Sequence, residues 1–164
     1  MARPLLGQLN GISSQRNPES PLCLLLDFDG TLAPLRRRPE EARISTLTRS
    51  LLQRLSGLER VYVGIISGRS RQDLYRKVGV PKIYYGGCHG LEMKGPGFSY
   101  RHPGAARARP FLARIARELK EQTGTIPGAM VEDKGLSVSL HYRNVKRKWV
   151  PLLREEFHRV IEGS

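Results

Sequence analysis

Two aspartates, Asp27 and Asp29, directly follow the apolar run 22–26 and are the residues of this sequence best suited to chemistry. A continuous apolar run that ends in turn residues is typical of a strand buried on both faces of a parallel sheet. Strand alternation would point both carboxylates the same way, at the carboxyl end of the strand, where open α/β sheets bind their ligands. Two like charges held so close are costly unless a cation or a proton intervenes. This cost is the first indication of a metal site.

Further polar side chains follow the next two apolar runs. Ser67 and Arg69 come directly after the run 61–66, and His89 and Glu92 belong to a Gly-rich segment after the third run. The planar guanidinium of an arginine is suited to binding substrate oxygens. Ser-Gly-Arg is also a common turn, and a lone histidine is more often structural than catalytic, so both interpretations stay open here.

Two pairs of charged side chains occur late in the sequence. Glu132 and Lys134 lie two residues apart on one predicted strand, and His141 and Arg143 lie two apart on the next. Each pair therefore shares one face of its strand. Such a face could bind a ligand rich in hydroxyl groups through hydrogen bonds. A ladder of cross-strand salt bridges on a solvated face is the alternative.

The elements that would position these residues alternate between strand and helix in the first part of the chain. Strands are predicted at residues 22–27, 61–66 and 82–85, and helices begin after the N-cap residues Ser45 and Ser70. Strands and helices that alternate with short loops indicate an α/β fold with right-handed crossovers in a parallel, doubly wound sheet.

The pattern changes to that of an α+β module after about residue 92. Helices are predicted at 111–122 and 148–161, and the alternation at 129–133 and 136–142 predicts a hairpin. The apolar residues that recur along both helices indicate core packing.

Turn residues separate these parts of the chain. Gly95-Pro96-Gly97 marks one turn and Pro103-Gly104 a second. The sequence therefore predicts a loose N-terminal arm at residues 1–20, a core at 21–93 and an inserted module at 94–164.

Composition is typical of a folded globular protein, with 39% apolar and 26% charged residues. No apolar run approaches membrane-spanning length, and the N-terminus does not resemble a signal peptide, so we expect a cytoplasmic protein without a membrane partner. The net charge is +13, and 21 of the 28 basic residues are arginine. Since the arginine cluster 36–38 lacks interleaved aromatic residues, we expect an anionic substrate rather than a nucleic acid.

The two cysteines, Cys23 and Cys88, make neither a disulfide framework nor a zinc site. Cys23 lies within the first apolar run and is expected to be a buried filler. Cys88 is expected to be an incidental small residue of its Gly-rich loop.

Four motifs together resemble the trehalose-6-phosphate phosphatase family of the haloacid dehalogenase superfamily. The segment Asp27-Phe-Asp-Gly-Thr-Leu resembles the superfamily signature. It is followed in order by Ser67-Gly-Arg, by Gly87-Cys-His-Gly-Leu-Glu92 and by Val131-Glu-Asp-Lys134 with His141-Tyr-Arg143. The resemblance covers about residues 22–161. It implies part of a haloacid dehalogenase-like Rossmannoid sheet with part of an inserted α+β cap domain.

The resemblance implies a phosphatase that works through an aspartyl-phosphate intermediate and requires Mg²⁺. Asp27 would attack phosphorus, Asp29 would protonate the leaving sugar oxygen and then activate water, and both would help to hold the metal. Thr31, Ser67 and Arg69 would contact the phosphate. The sugar would be bound by six residues: His89, Glu92, Glu132, Lys134, His141 and Arg143.

The family pattern also includes a later lysine and a Gly-Asp-Asp loop with further acidic residues. This sequence holds four aspartates, Asp27, Asp29, Asp73 and Asp133, and no two are adjacent. We therefore expect a chain truncated at its C-terminus, in which the nucleophile is present and the metal site is incomplete. Two further hypotheses stay open: a truncated, non-catalytic module that binds sugar phosphates, and a phosphatase for a related sugar phosphate of the sucrose or mannosylglycerate type.

Overall fold

The computed structural model describes residue 17, residues 19–36 and residues 38–163, so the predicted N-terminal arm lies largely outside the described residues. The strands are β1 (Leu22–Asp27), β2 (Val61–Ile66), β3 (Tyr84–Gly87), β4 (Glu92–Gly95), β5 (Phe98–Arg101), β6 (Met130–Asp133) and β7 (Val138–His141). The α-helices are α1 (Thr46–Ser56), α2 (Arg71–Val78), α3 (Pro103–Thr123) and α4 (Val150–Glu162). Short 3₁₀ turns occur at Pro39–Glu41, Cys88–Gly90 and Arg147–Trp149.

The five strands β1 to β5 form one sheet in the order of the sequence, and β6 pairs with β7 in a separate hairpin. β1, β2 and β3 run parallel, whereas β4 and β5 continue the sheet as an antiparallel hairpin. The predicted α/β fold is therefore confirmed. β3 begins two residues later than expected because Lys82 adopts a left-handed turn conformation with φ of 61°.

The hairpin β4–β5 was not expected, and it moves the limit of the first sheet. The Gly95-Pro96-Gly97 turn, interpreted from the sequence as a break, closes this hairpin, and Gly97 has the positive φ of 65° that such a turn needs. β5 pairs with β4 through Arg101, so the sheet extends past the predicted boundary at residue 93.

Helices α1 and α2 pack against the same face of the sheet. Leu52 of α1 and Leu74 of α2 are buried with Val63 and Ile65 of β2 in the main core. As predicted, the hydroxyl oxygens of Ser45 and Ser70 cap these two helices; the Ser45 oxygen accepts a hydrogen bond from the Thr48 amide at 2.9 Å.

The opposite face of the sheet is not covered by the described residues, so the expectation that β1 is buried on both faces is wrong. Burial alternates along β1, and Leu25 is 65% exposed. Cys23 is exposed on this same face instead of filling the core. The reason is topological: the two crossover helices that follow β1 and β2 lie on one side only.

The second unit packs α3 and α4 behind the β6–β7 hairpin, which confirms the predicted hairpin with its turn at Gly135. α3 begins eight residues before the predicted start. The Pro103-Gly104 pair forms its first turn rather than a separate turn, and the His102 ring accepts the capping hydrogen bond of the Ala105 amide. Proline at the first helical position gives up no hydrogen bond. None of the helices formed by the described residues is long and apolar enough to cross a membrane.

We expect Tyr85 to be a stability determinant of the core at high pH. Its buried hydroxyl donates a hydrogen bond to the Val80 carbonyl at 2.7 Å and accepts one from the Val80 amide at 3.0 Å. Burial raises the pKa of Tyr85 to about 12. Because the folded value lies above the unfolded value of about 10, the contribution of this hydroxyl is complete below pH 10 and disappears between pH 10 and 12.

Urea unfolding of the Tyr85→Phe variant checks this expectation. The variant should lose about 1–3 kcal/mol of unfolding free energy at pH 7, since two buried hydrogen bonds are removed. Tyr62→Phe is the matched control because the Tyr62 side chain is 49% exposed. Equal stability of the two variants at pH 7 would contradict the assignment.

Candidate active site

A cleft of about 290 Å³ lies between the loops that follow β1 and β2 and the β6–β7 hairpin. It brings together most of the charged residues that the sequence singled out, although they are more than 100 positions apart. Seven predicted site residues line it: Asp29, Arg69, His89, Glu132, Lys134, His141 and Arg143.

Arg69 is buried at the floor of the cleft and binds Asp29 with both arms of its guanidinium. Its Nε and Nη2 atoms each donate a hydrogen bond of 2.8 Å to Asp29, Nη1 donates one of 2.9 Å to Asp73, and Nη2 also donates to the Pro39 carbonyl. Burial disfavours the guanidinium charge, but the hydrogen bonds to both carboxylates outweigh it and raise the pKa of Arg69. Arg69 is therefore the cation that neutralises Asp29 in this structure.

Asp27 occupies a different environment from Asp29. It ends β1 on the uncovered face, its side chain is exposed, and the cleft is lined by Asp29 rather than by Asp27. The hydroxyl of Thr31 donates a long hydrogen bond of 3.5 Å to the Asp27 carboxylate. Asp27 is thus the less constrained of the two carboxylates.

The loops that follow β2 and β3 pack closely against each other. Ser67 is buried, its hydroxyl oxygen accepts a hydrogen bond from the Arg69 amide, and its carbonyl accepts one from the His89 amide at 3.0 Å. Glycine is needed twice at this contact. A Cβ at Gly68 would lie 2.7 Å from the His89 ring, and one at Gly87 would overlap the backbone of Arg71.

Glu92 lies away from the cleft. Its carboxylate accepts a hydrogen bond from the Arg71 amide at 3.0 Å and lies 3.9 Å from the Arg101 guanidinium. It lines a neighbouring cavity of about 590 Å³, which also contacts Lys134. Its predicted contact with a sugar stays a prediction.

The charged side chains of the β6–β7 hairpin contact one another and face the cleft. The His141 ring nitrogen and the Lys134 ammonium lie 2.8 Å and 3.6 Å from the Glu132 carboxylate, and Lys134 also donates to Ser139 at 2.8 Å. Arg143 donates a hydrogen bond of 2.9 Å to the Arg36 carbonyl in the loop after β1. The cross-strand pairing considered from the sequence and the lining of a polar cleft therefore occur together.

Two participants were missed at the level of the sequence. Asp73 anchors Arg69 from the first turn of α2, and its position four residues after Arg69 was the available signal. Cys88, expected to be incidental, is fully buried where this loop meets the hairpin, with its sulfur 3.9 Å from the Lys134 carbonyl. Burial raises the pKa of the Cys88 thiol.

The donor set around the aspartates fits one side of a magnesium site. Within the described part of the chain, no group of three or more His, Cys, Asp or Glu residues could hold a metal. Both Asp29 oxygens are bound by Arg69, which leaves the Asp27 carboxylate as a free ligand. Mg²⁺ is usually held by one or two carboxylates together with water and phosphate oxygens, so Asp27 suits it as one ligand of several.

Comparison with known proteins gives a consistent result. The trehalose-phosphatase family model matches residues 25–162. The trehalose-phosphate phosphatases of Mycobacterium avium and Mycobacterium leprae are 39% and 38% identical over 147 and 141 residues, which cover 89% and 85% of this chain. These matches cover 36% and 32% of the two relatives, so the chain spans about a third of their length.

Solved structures share the fold. The C-terminal domain of the Candida albicans trehalose-6-phosphate phosphatase aligns with a TM-score of 0.78 and 25% identity, covering 100% of this chain and 55% of that domain. A trehalose-6-phosphate phosphatase related protein aligns with a TM-score of 0.76 and 27% identity, covering 85% of this chain and 60% of its own.

Proposed function

This chain belongs to the trehalose-phosphatase family, and from that premise we propose that it acts in the hydrolysis of trehalose 6-phosphate to trehalose and phosphate. The observation that carries the proposal is the cleft itself, because it joins the Asp29–Arg69 pair to the charged face of the hairpin. A phosphorylated disaccharide needs both parts: groups for a phosphoryl transfer at one end, and groups that hydrogen-bond hydroxyls at the other. The cytoplasmic location expected from the sequence stays a prediction.

In the proposed reaction, a carboxylate oxygen of Asp27 attacks phosphorus and the bond from phosphorus to the sugar oxygen breaks. Asp29 donates a proton to that sugar oxygen, and trehalose leaves. Asp29 then takes a proton from water, whose oxygen attacks the phosphorus of the aspartyl-phosphate and releases phosphate. Mg²⁺, when bound at the carboxylates of Asp27 and Asp29, would neutralise phosphate charge. Because both Asp29 oxygens accept hydrogen bonds from Arg69, one of these bonds must be released for the proton transfers.

The remaining predicted contacts divide into two groups around the cleft. The hydroxyls of Thr31 and Ser67 and the Arg69 guanidinium would bind phosphate oxygens, although Arg69 would first have to exchange a protein partner for the substrate. Glu132, Lys134, His141 and Arg143, with His89 and Glu92 beside them, would bind the sugar hydroxyls. The pairing of Glu132 with Lys134 and His141 supports this assignment, since it holds three polar side chains in fixed positions.

Binding of a sugar phosphate without turnover is the second candidate function. Two observations favour it: Asp29 is held by Arg69, and Asp27 lies outside the lining of the cleft. Substrate binding is therefore tested apart from catalysis.

Isothermal titration calorimetry with trehalose 6-phosphate tests the proposal. We expect tighter binding of trehalose 6-phosphate than of trehalose, glucose 6-phosphate, sucrose 6-phosphate or phosphate. Lys134→Met should weaken it about tenfold or more, since a hydrogen bond from a charged group to a hydroxyl is lost. Lys120→Met is the matched control because Lys120 is exposed on α3. Equal affinity of both variants, or no preference among the five ligands, would contradict the proposed substrate.

A further inference from the structure

The uncovered side of the β1–β5 sheet is the largest apolar surface of the described residues. We call it the open sheet face and define it by six side chains: Cys23, Leu25, Tyr62, Ile66, Tyr84 and Phe98. Leu25, Tyr62 and Phe98 are 65%, 49% and 45% exposed. These side chains line a groove of about 310 Å³ whose walls are almost wholly apolar. A contiguous apolar patch on a folded protein marks an interaction surface.

The edge of the same sheet is open next to this face. β1 pairs with β2 on one side, and no described strand pairs with its other side. Its free edge carries Cys23 and Leu25 and has neither a proline nor a basic side chain to discourage pairing. The open edge and the open sheet face therefore form one continuous surface.

The handedness of the crossovers relates these two features. In the connections from β1 to β2 and from β2 to β3, the right-handed rule puts α1 and α2 on one face of the sheet. A parallel strand added to the free edge of β1 extends the sheet in the opposite direction. By the same rule, its crossover helices lie on the opposite face, which is the open sheet face. One α/β segment would thus fill the edge and cover the apolar surface.

We propose that the open sheet face and the free edge of β1 bind an α/β segment from outside these 164 residues, which adds a parallel strand to β1. The length of the relatives supports this occupant, since 45% of the Candida albicans domain lies outside the part covered by this chain. The net charge of +13 favours an acidic segment. Docking would also make β1 a switch point of the sheet, the position at which α/β proteins bind their ligands, directly at Asp27.

The test mixes this chain with a separately produced polypeptide that contains the rest of the Candida albicans domain. Light scattering measures stoichiometry, and the alkylation rate of Cys23 reports coverage of the face. We expect a 1:1 complex in which alkylation of exposed Cys23 slows at least tenfold, while buried Cys88 reacts slowly in both states. Leu25→Glu should abolish the complex. Leu47→Glu, on the outer side of α1 and 70% exposed, should leave it intact.

Three outcomes would overturn the proposal. They are self-association of this chain that is lost in Leu25→Glu, a complex that persists in Leu25→Glu, and no complex at all. None of these measurements uses trehalose 6-phosphate or turnover. A failure of docking is therefore distinguishable from a failure of the proposed function.

Discussion

The Asp27→Asn variant is expected to release phosphate from trehalose 6-phosphate at least about a thousandfold more slowly than the unsubstituted chain in the presence of Mg²⁺. The reason is chemical: the amide of asparagine is not a nucleophile toward phosphorus, and removal of a covalent nucleophile typically costs several orders of magnitude in kcat. The measurement is the initial rate of phosphate release at saturating substrate.

The substitution should leave the fold unchanged. Asp27 is exposed and its carboxylate accepts a hydrogen bond of only 3.5 Å from Thr31, which an asparagine oxygen can also accept. The melting temperature of Asp27→Asn should therefore equal that of the unsubstituted chain, so that any loss of rate is a loss of chemistry.

Asp133→Asn provides a matched control for the same chemical change. Asp133 lies in the hairpin turn, where its side-chain oxygen accepts a hydrogen bond from the Gly135 amide at 2.8 Å. Asparagine keeps this bond, and the residue lines the neighbouring cavity instead of the cleft. Equal rates for Asp27→Asn and the unsubstituted chain, including background rates for both, would contradict catalysis by this chain and favour the binding module.

Local signals in the sequence were sufficient for much of the fold. Ser45 and Ser70 cap their helices because an N-cap depends on one side chain and an amide three residues later. The hairpin at Gly135 followed from alternation on both sides of a turn residue. These features depend on neighbours within a few residues, which a sequence displays directly.

Features that depend on tertiary packing were not predictable in the same way. An apolar run such as 22–26 does not reveal whether a second layer of helices covers it, and β1 is open on one face. The start of α3 was missed because Pro103-Gly104 has the composition of a turn, whereas the helix forms where its apolar residues pack under the hairpin.

The aspartate pair shows the same distinction within the site. The cost of two adjacent carboxylates correctly predicted a nearby cation, but the sequence could not identify that cation. The described residues contain Arg69, which lies 40 positions from Asp29 along the chain. The predicted role of Asp29 in holding a metal, and of Arg69 in binding phosphate, stay predictions that require this ion pair to rearrange.

Arg69→Met is expected to lower the free energy of unfolding by about 2–4 kcal/mol. Removing one partner from a buried ion pair leaves uncompensated charge, and such losses typically reach 3–5 kcal/mol. Asp29 and Asp73 are 36% and 28% exposed, so water compensates part of the loss. Arg69→Lys should fall between the two, because an ammonium group keeps the charge but not the paired bonds to Asp29.

Arg159→Met is the matched control for Arg69→Met. Arg159 also makes three hydrogen bonds to two carboxylates, those of Glu155 and Glu156, but its side chain is 58% exposed on α4. Exposed pairs contribute less than about 1 kcal/mol, so the urea midpoint of Arg159→Met should barely change. Equal losses in the two variants would contradict a buried clamp at Arg69. A larger loss at Arg69 would mean that Asp29 is held by the folding energy of the core, and that any ligand which frees it must replace those bonds.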